Sequence, residues 1–221
     1  MNHQRHKYGY ALAGKILVLE GLISAGKSTA SQELMTAADA MGIKTHFFAE
    51  PLNQSLLELF LSNQKKYAFT FQMAMLIKRQ AIYREAFELA KEGYFCIIDR
   101  SLYGDYCFAL MHMNRGNIDP IEWGTYLDSL NSEKFEHPDY VVYLKVTPET
   151  AIIRCAARDR RGEGSYDTEY FRELCEIYDS VIPSSPANGM IILDWNKHRE
   201  IEDIAPAILS AILKAHKTII F

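Results

Sequence analysis

The chain carries 221 residues, 28 acidic against 24 basic, for a formal net charge of -4, with 48% hydrophobic and 24% charged residues. That balance excludes broad electrostatic capture of nucleic acid or of an anionic membrane, so any anion must be held by a local device. No apolar run approaches the roughly 20 residues that span a bilayer. The four cysteines, Cys96, Cys107, Cys155 and Cys175, form no CxxC pair, as expected for reduced thiols in a cytoplasmic protein.

Residues 1–14 hold Arg5, Lys7, His3 and His6 with no acidic residue and read as a disordered leader. Residues 15–221 read as one domain, since no repeat, low-complexity tract or Pro/Gly-rich linker divides them. Near-continuous apolar runs at Lys15 to Glu20, Ile43 to Phe48, Phe95 to Asp99, Tyr140 to Val146 and Met190 to Asp194 are strand candidates. Unbroken apolarity is the mark of parallel strands covered on both faces. Helical segments alternate with them: Lys27 to Met41, Pro51 to Ser62, Tyr67 to Glu92, Asp105 to Arg115, Pro120 to Leu130, Pro148 to Arg158, Thr168 to Ile182 and a last helix near residues 200–215. This alternation predicts an α/β three-layer sandwich with a doubly wound parallel sheet of about five strands. Ligands bind such sheets at the carboxyl ends of the strands.

The first strand runs into Gly21-Leu22-Ile23-Ser24-Ala25-Gly26-Lys27-Ser28, followed by Thr29 and an amphipathic helix. This is a complete GxxxxGK[ST] in its strand-loop-helix setting, a P-loop. Its backbone N–H groups and the following helix dipole converge on phosphate oxygens. Lys27 supplies a point charge for the outer phosphates, and the Ser28 hydroxyl is a hard oxygen ligand suited to Mg²⁺. A guanine-reading NKxD is missing, the nearest string being Asn196-Lys197-His198-Arg199. What remains is phosphoryl transfer to a small molecule.

The third strand ends in Ile98-Asp99-Arg100-Ser101 and the second in Glu50-Pro51. Asp99 can accept a hydroxyl proton or hold Mg²⁺, Arg100 can steady the transferring phosphoryl group, and Glu50 is a second candidate base. On the long helix, Gln72 and Arg79 lie seven residues apart on one stripe. A buried amide offers one donor and one acceptor, a match for a nucleobase edge, and Asp105 can pair with Arg79. Arg154, Arg158, Arg160 and Arg161 crowd beside Gly162 and Gly164, the makings of an arginine-rich lid over a triphosphate.

In this order and spacing, the P-loop, Glu50-Pro51, Phe69-Thr70-Phe71-Gln72, Asp99-Arg100-Ser101 and the arginine segment resemble the deoxyribonucleoside kinase family, which includes deoxycytidine, deoxyguanosine and bacterial deoxyadenosine kinases. The resemblance runs from about Lys15 to Arg199. It implies transfer of the γ-phosphoryl of ATP to a nucleoside 5′-hydroxyl, with Glu50 and Asp99 sharing base and Mg²⁺ duties and Arg100 near the 5′-oxygen. It further implies base recognition by Gln72, and an Arg79–Asp105 pair associated with deoxycytidine and deoxypurine substrates. Glu163 is implied at the 3′-hydroxyl, Arg154, Arg158 and Arg160 on phosphates, and the loop with Lys197, His198 and Arg199 on adenine. Members are commonly homodimers, for which the helices Asp105 to Arg115 and Pro120 to Leu130 are the candidate interface. The usual tyrosine at the 3′-hydroxyl is absent, with leucine, Leu61, in its place, so sugar discrimination then rests on Glu163. Two rival readings are a thymidylate kinase-like nucleoside monophosphate kinase, which needs extra cations for the acceptor's phosphate, and a non-catalytic structural subunit, which predicts a decayed P-loop.

Overall fold

The computed structural model describes residues 8–9, 11–158, 166–197 and 199–219, the last four of these as backbone only. Five strands form one all-parallel sheet: β1 (Ile16–Glu20), β2 (Thr45–Phe48), β3 (Phe95–Asp99), β4 (Tyr140–Lys145) and β5 (Gly189–Asp194), in the order β2-β3-β1-β4-β5. Every residue of β1 and β3 is buried. Burying each such Val, Leu or Ile side chain contributes about 1.5–3 kcal/mol, which is why these strands are apolar up to their last residues, Glu20 and Asp99, rather than alternating.

The helices are α1 (Lys27–Ala40), α2 (Gln54–Ser62), α3 (Gln64–Lys91), α4 (Leu102–Asn114), α5 (Pro120–Leu130), α6 (Pro148–Arg158), α7 (Thr168–Val181) and α8 (Ile201–Ile219). A short 3₁₀ turn, Ile182–Ser184, follows α7. α1 packs on α8, while α3, α4 and α7 pack in series, giving the two helical layers that cover the central strands. The predicted fold class holds. A second, smaller apolar cluster, built from Leu57, Phe60, Ala68, Phe71, Met75 and Ile118, joins α2 and α3.

Where boundaries moved, a cap moved them. Asn53 accepts from Leu56 N and starts α2 three residues past Pro51, and Asn63 accepts from Lys66 N and starts α3 before Tyr67. Ser101 accepts from Tyr103 N and Gly104 N, so α4 begins at Leu102 and Asp105 falls in its first turn. Each such cap satisfies N–H groups that the helix leaves orphaned, worth about 1 kcal/mol. Ile43 is drawn out of β2 because its N–H closes the turn onto Ala38 O. The leader needs correction at its end. Ala11 and Leu12 are fully buried, and Gly14 N–H bonds Gly93 O, so packed structure begins before residue 15. All four cysteines are free and buried. Among the described residues no helix is long and apolar enough to cross a membrane.

Candidate active site

The carboxyl ends of β1, β2 and β3 open onto a cavity of about 440 Å³. Strand register does the placing: Leu19 on β1 is level with Asp99 on β3, and Phe48 on β2 with Ile98. The P-loop, the Glu50 turn and the Asp99-Arg100-Ser101 turn therefore leave the sheet side by side. The P-loop chain reverses through left-handed backbone at Ser24 (φ 60°) and Gly26 (φ 99°), a conformation that costs little at glycine and strains serine.

Lys27 curls back so that its ammonium donates to Gly21 O at 3.3 Å and Leu22 O at 3.2 Å, 3.9 Å from Asp99 Oδ1. Burial, with Arg100 nearby, pushes its pKa down to about 8 despite Asp99 and Glu50. The Ser28 hydroxyl donates to Asp99 Oδ2 at 3.0 Å. Asp99 Oδ1 is buried and accepts no hydrogen bond. A hydroxyl oxygen and an unsatisfied carboxylate oxygen beside a phosphate loop are hard donors of the kind that fit Mg²⁺.

Arg100 is the most constrained side chain of the site. Its φ of 78° is left-handed, it is 2% exposed, and its N–H is fixed on Leu19 O. Its Nε donates to Glu50 Oε1 at 2.9 Å, its Nη1 to Gly21 O at 3.2 Å and to the Tyr178 hydroxyl, and the guanidinium lies 4.7 Å over the Phe108 ring. Strain of this kind costs on the order of 1–3 kcal/mol and persists only where surrounding contacts over-determine it. The same Glu50 oxygen accepts from Arg79 Nη2 at 2.7 Å. Burial alone would raise the Glu50 carboxyl, but the charges of Arg100 and Arg79 hold it down to about 2.

The acceptor wall comes from α3. Gln72 and Arg79 are 2% and 4% exposed and line the cavity with Phe71 and Met75. Gln72 thus shares one cavity with Lys27 and Asp99. Arg79 Nη1 bonds Asp105 Oδ1, whose other oxygen accepts from the Tyr126 hydroxyl at 2.6 Å, and Arg79 Nε is buried with no acceptor. Asp105 stands behind Arg79 rather than on the cavity surface.

Of the remaining sequence candidates, Ile23, Ser24, Gly26, Thr29, Arg154 and Arg158 also line the cavity. Arg154 also donates to Ala25 O at 3.2 Å, Trp195 O at 2.8 Å and Asn196 O at 3.2 Å, lashing the P-loop to the loop after β5. In that loop Arg199 lies 4.5 Å over the Trp195 ring and Lys197 is exposed; neither lines the cavity. Arg160, Glu163 and His198 lie outside the described residues. Leu61 is half-buried against the small apolar cluster, and its neighbour Phe60 reaches the cavity instead. Sequence reasoning missed Tyr178 and Tyr126, which nothing in their surroundings marks. It also missed Glu20, which was readable as a carboxylate closing an otherwise apolar strand.

Phosphate loop and acceptor wall therefore face each other across one cavity, the arrangement of a P-loop kinase. The deoxynucleoside kinase family model matches residues 17–215, and the chain belongs to that family. It is 28% identical over 201 residues to the deoxyadenosine kinase of Dictyostelium discoideum, covering 90% of this chain and 79% of that protein. Identity to the deoxyadenosine/deoxycytidine kinase of Bacillus subtilis is 28% over 208 residues, covering 89% and 93%. The structure of an M. mycoides deoxyadenosine kinase with dCMP and dCDP superposes with a TM-score of 0.73 at 26% identity, covering 88% of this chain and 97% of that one. A second structure of that protein, with dATP, gives 0.71. The chain is an enzyme, a deoxynucleoside kinase.

Proposed function

We propose that this kinase transfers the γ-phosphoryl group of ATP to the 5′-hydroxyl of deoxyadenosine, deoxyguanosine or deoxycytidine, in the cytoplasm and as a homodimer. The observation that carries this reading is the placement of Gln72 in the same cavity as Lys27 and Asp99. An uncharged nucleoside held by a buried amide then presents its hydroxyl to the donor. Lys27 and the P-loop N–H groups hold the outer phosphates, and Arg100 neutralises charge on the transferring group. Ser28 and Asp99 would hold Mg²⁺, which would supply further neutralisation of phosphate charge when bound. In a loose transition state the hydroxyl proton leaves late, so Glu50, though weakly basic, can share the acceptor proton with Asp99.

The base preference follows from hydrogen-bond polarity. A guanidinium only donates, and Arg79 Nε–H is buried without an acceptor. Cytosine N3, adenine N1 and guanine N7 can accept from a guanidinium, whereas the one ring nitrogen of thymine not bonded to the sugar carries a proton. The named relatives fit this reading, since deoxyadenosine and deoxycytidine kinases are among them. For the homodimer, α4 is largely consumed by internal packing, which leaves the outer face of α5, where Ile121 is 81% exposed, as the surface for a second copy. The test is a panel of the four deoxynucleosides with Mg²⁺ and ATP. Turnover of the adenine, guanine or cytosine nucleosides above thymidine is expected, and thymidine as the best substrate contradicts the reading.

A further inference from the structure

Glu20, the last residue of β1, is fully buried and touches neither the cavity nor solvent. Its Oε1 accepts the Ser101 N–H at 2.7 Å and also the Ser101 hydroxyl. The Ser101 oxygen in turn accepts from Tyr103 N at 3.0 Å and Gly104 N at 3.1 Å. A short relay therefore runs from β1 through Ser101 into the first turn of α4. Two functional groups hang on that relay. Arg100, immediately before Ser101, sits in left-handed backbone, and Asp105, one turn into α4, bonds Arg79.

Gly104 supplies an independent sign that the carboxylate was given its place. A Cβ there would lie 2.5 Å from Glu20 Oε2, 2.7 Å from Oε1 and 2.7 Å from Arg100 Cγ. The helix gives up a side chain at that position to admit the carboxylate and the arginine stem. Glu20 Oε2 has no hydrogen-bond partner, so a single oxygen carries the contact, and an amide oxygen can accept the same two bonds, though without the charge.

We propose that Glu20 is a positioning residue for phosphoryl transfer. By holding Ser101 it fixes the strained Arg100 backbone, and with it the guanidinium that faces the transferring group. The inference rests on the phosphoryl-transfer reading above.

The experiment compares wild type with Glu20→Gln, Glu20→Ala and Gly104→Ala in steady-state kinetics, thermal melting and amide hydrogen exchange. Glu20→Gln keeps the acceptor oxygen and is expected to rescue, with kcat within about threefold of wild type. Glu20→Ala is expected to lower kcat by about 100-fold, the scale of an ångström-sized misplacement, while KM for ATP and cooperative melting are retained. Gly104→Ala crowds the buried carboxylate and Arg100 by more than its gain as a helix former offsets, so it is expected to lower both kcat and the melting temperature, with cooperative melting retained. Exchange at the Ser101, Tyr103 and Gly104 amides is expected to be at least about tenfold faster in Glu20→Ala, with the sheet amides unchanged. This last readout needs no turnover and judges the relay even if the reaction assigned above were wrong. Unaltered exchange at those amides, or full kcat in Glu20→Ala, overturns the proposal. So does Glu20→Gln failing as badly as Glu20→Ala, which would make the charge and not the held serine the cause. Were Glu20→Ala unable to fold, undiminished kcat in Gly104→Ala would overturn it alone.

Discussion

Lys27 shows how burial sets the working range of a side chain. A lysine with its pKa at about 8 is mostly charged at neutral pH, and its proton is retained when phosphate oxygens arrive, because they favour the ammonium. Raising the pH through that value removes the charge from the free enzyme. Affinity for a non-hydrolysable ATP analogue is therefore expected to fall above pH 8, and affinity flat to pH 9.5 would contradict the assignment. Lys27→Met should abolish turnover and leave the fold intact, since the buried charge itself costs about 3 kcal/mol at neutral pH; a variant that fails to melt cooperatively would contradict this. The P-loop and Asp99-Arg100-Ser101 were readable in the sequence because both are contiguous strings. Which partner each acid chooses was not. Glu50 accepts from two arginines supplied by different elements, and no one-dimensional pattern encodes that. Nor did the sequence show that Arg154, expected on phosphate, also donates to three carbonyls from two loops.

At the scale of elements, α3 and α4 carry recognition between them through Arg79 and Asp105. Replacing Arg79 with Met and Asp105 with Ala together removes the donor-only group and its buried counter-charge, so that neither is left unpaired. The ratio of kcat/KM for thymidine to that for deoxycytidine is expected to rise at least about tenfold, and an unchanged ranking would refute the pair's role. α4 also carries His112, fully buried against Phe60 and Tyr170, with Asn117 on its Nδ1. Burial, reinforced by Arg115, pushes its pKa down to about 3. The unfolded chain takes up that proton below its ordinary value of 6.5 while the folded chain refuses it until about 3, so stability drains as pH falls between them. Between pH 7 and 5 the wild type is expected to lose about 2 kcal/mol more than His112→Phe. Parallel denaturant titrations at the two values measure this, and equal losses would contradict it. Helix existence was legible from apolar periodicity. The starts at Lys27, Pro120, Pro148 and Thr168 were legible too, but those of α2, α3 and α4 were not, because Asn53, Asn63 and Ser101 act as caps only once their side chains fold back.

The whole molecule joins two half-sites that lie far apart in sequence. Parallel register brings residues 21–29, 50 and 99–100 to one edge, and α3 lays Gln72 and Arg79 across the opening. The apolar runs predicted this sheet correctly because strands buried on both faces have no other composition open to them. The acceptor wall was legible only in part, as two polar residues seven apart on a helix too apolar to be exposed. Both rival readings bear on the same geometry, since a monophosphate acceptor would bring its own charge to the donor side of the cavity, away from Gln72, and a structural subunit would move no phosphate at all. Following the label from γ-labelled ATP, supplied with deoxycytidine or deoxyadenosine, separates these outcomes. Label is expected on the nucleoside 5′-oxygen as the monophosphate, and Gln72→Ala should suppress it. Label appearing only in nucleoside diphosphate made from added monophosphate, or only in free phosphate, would contradict the account.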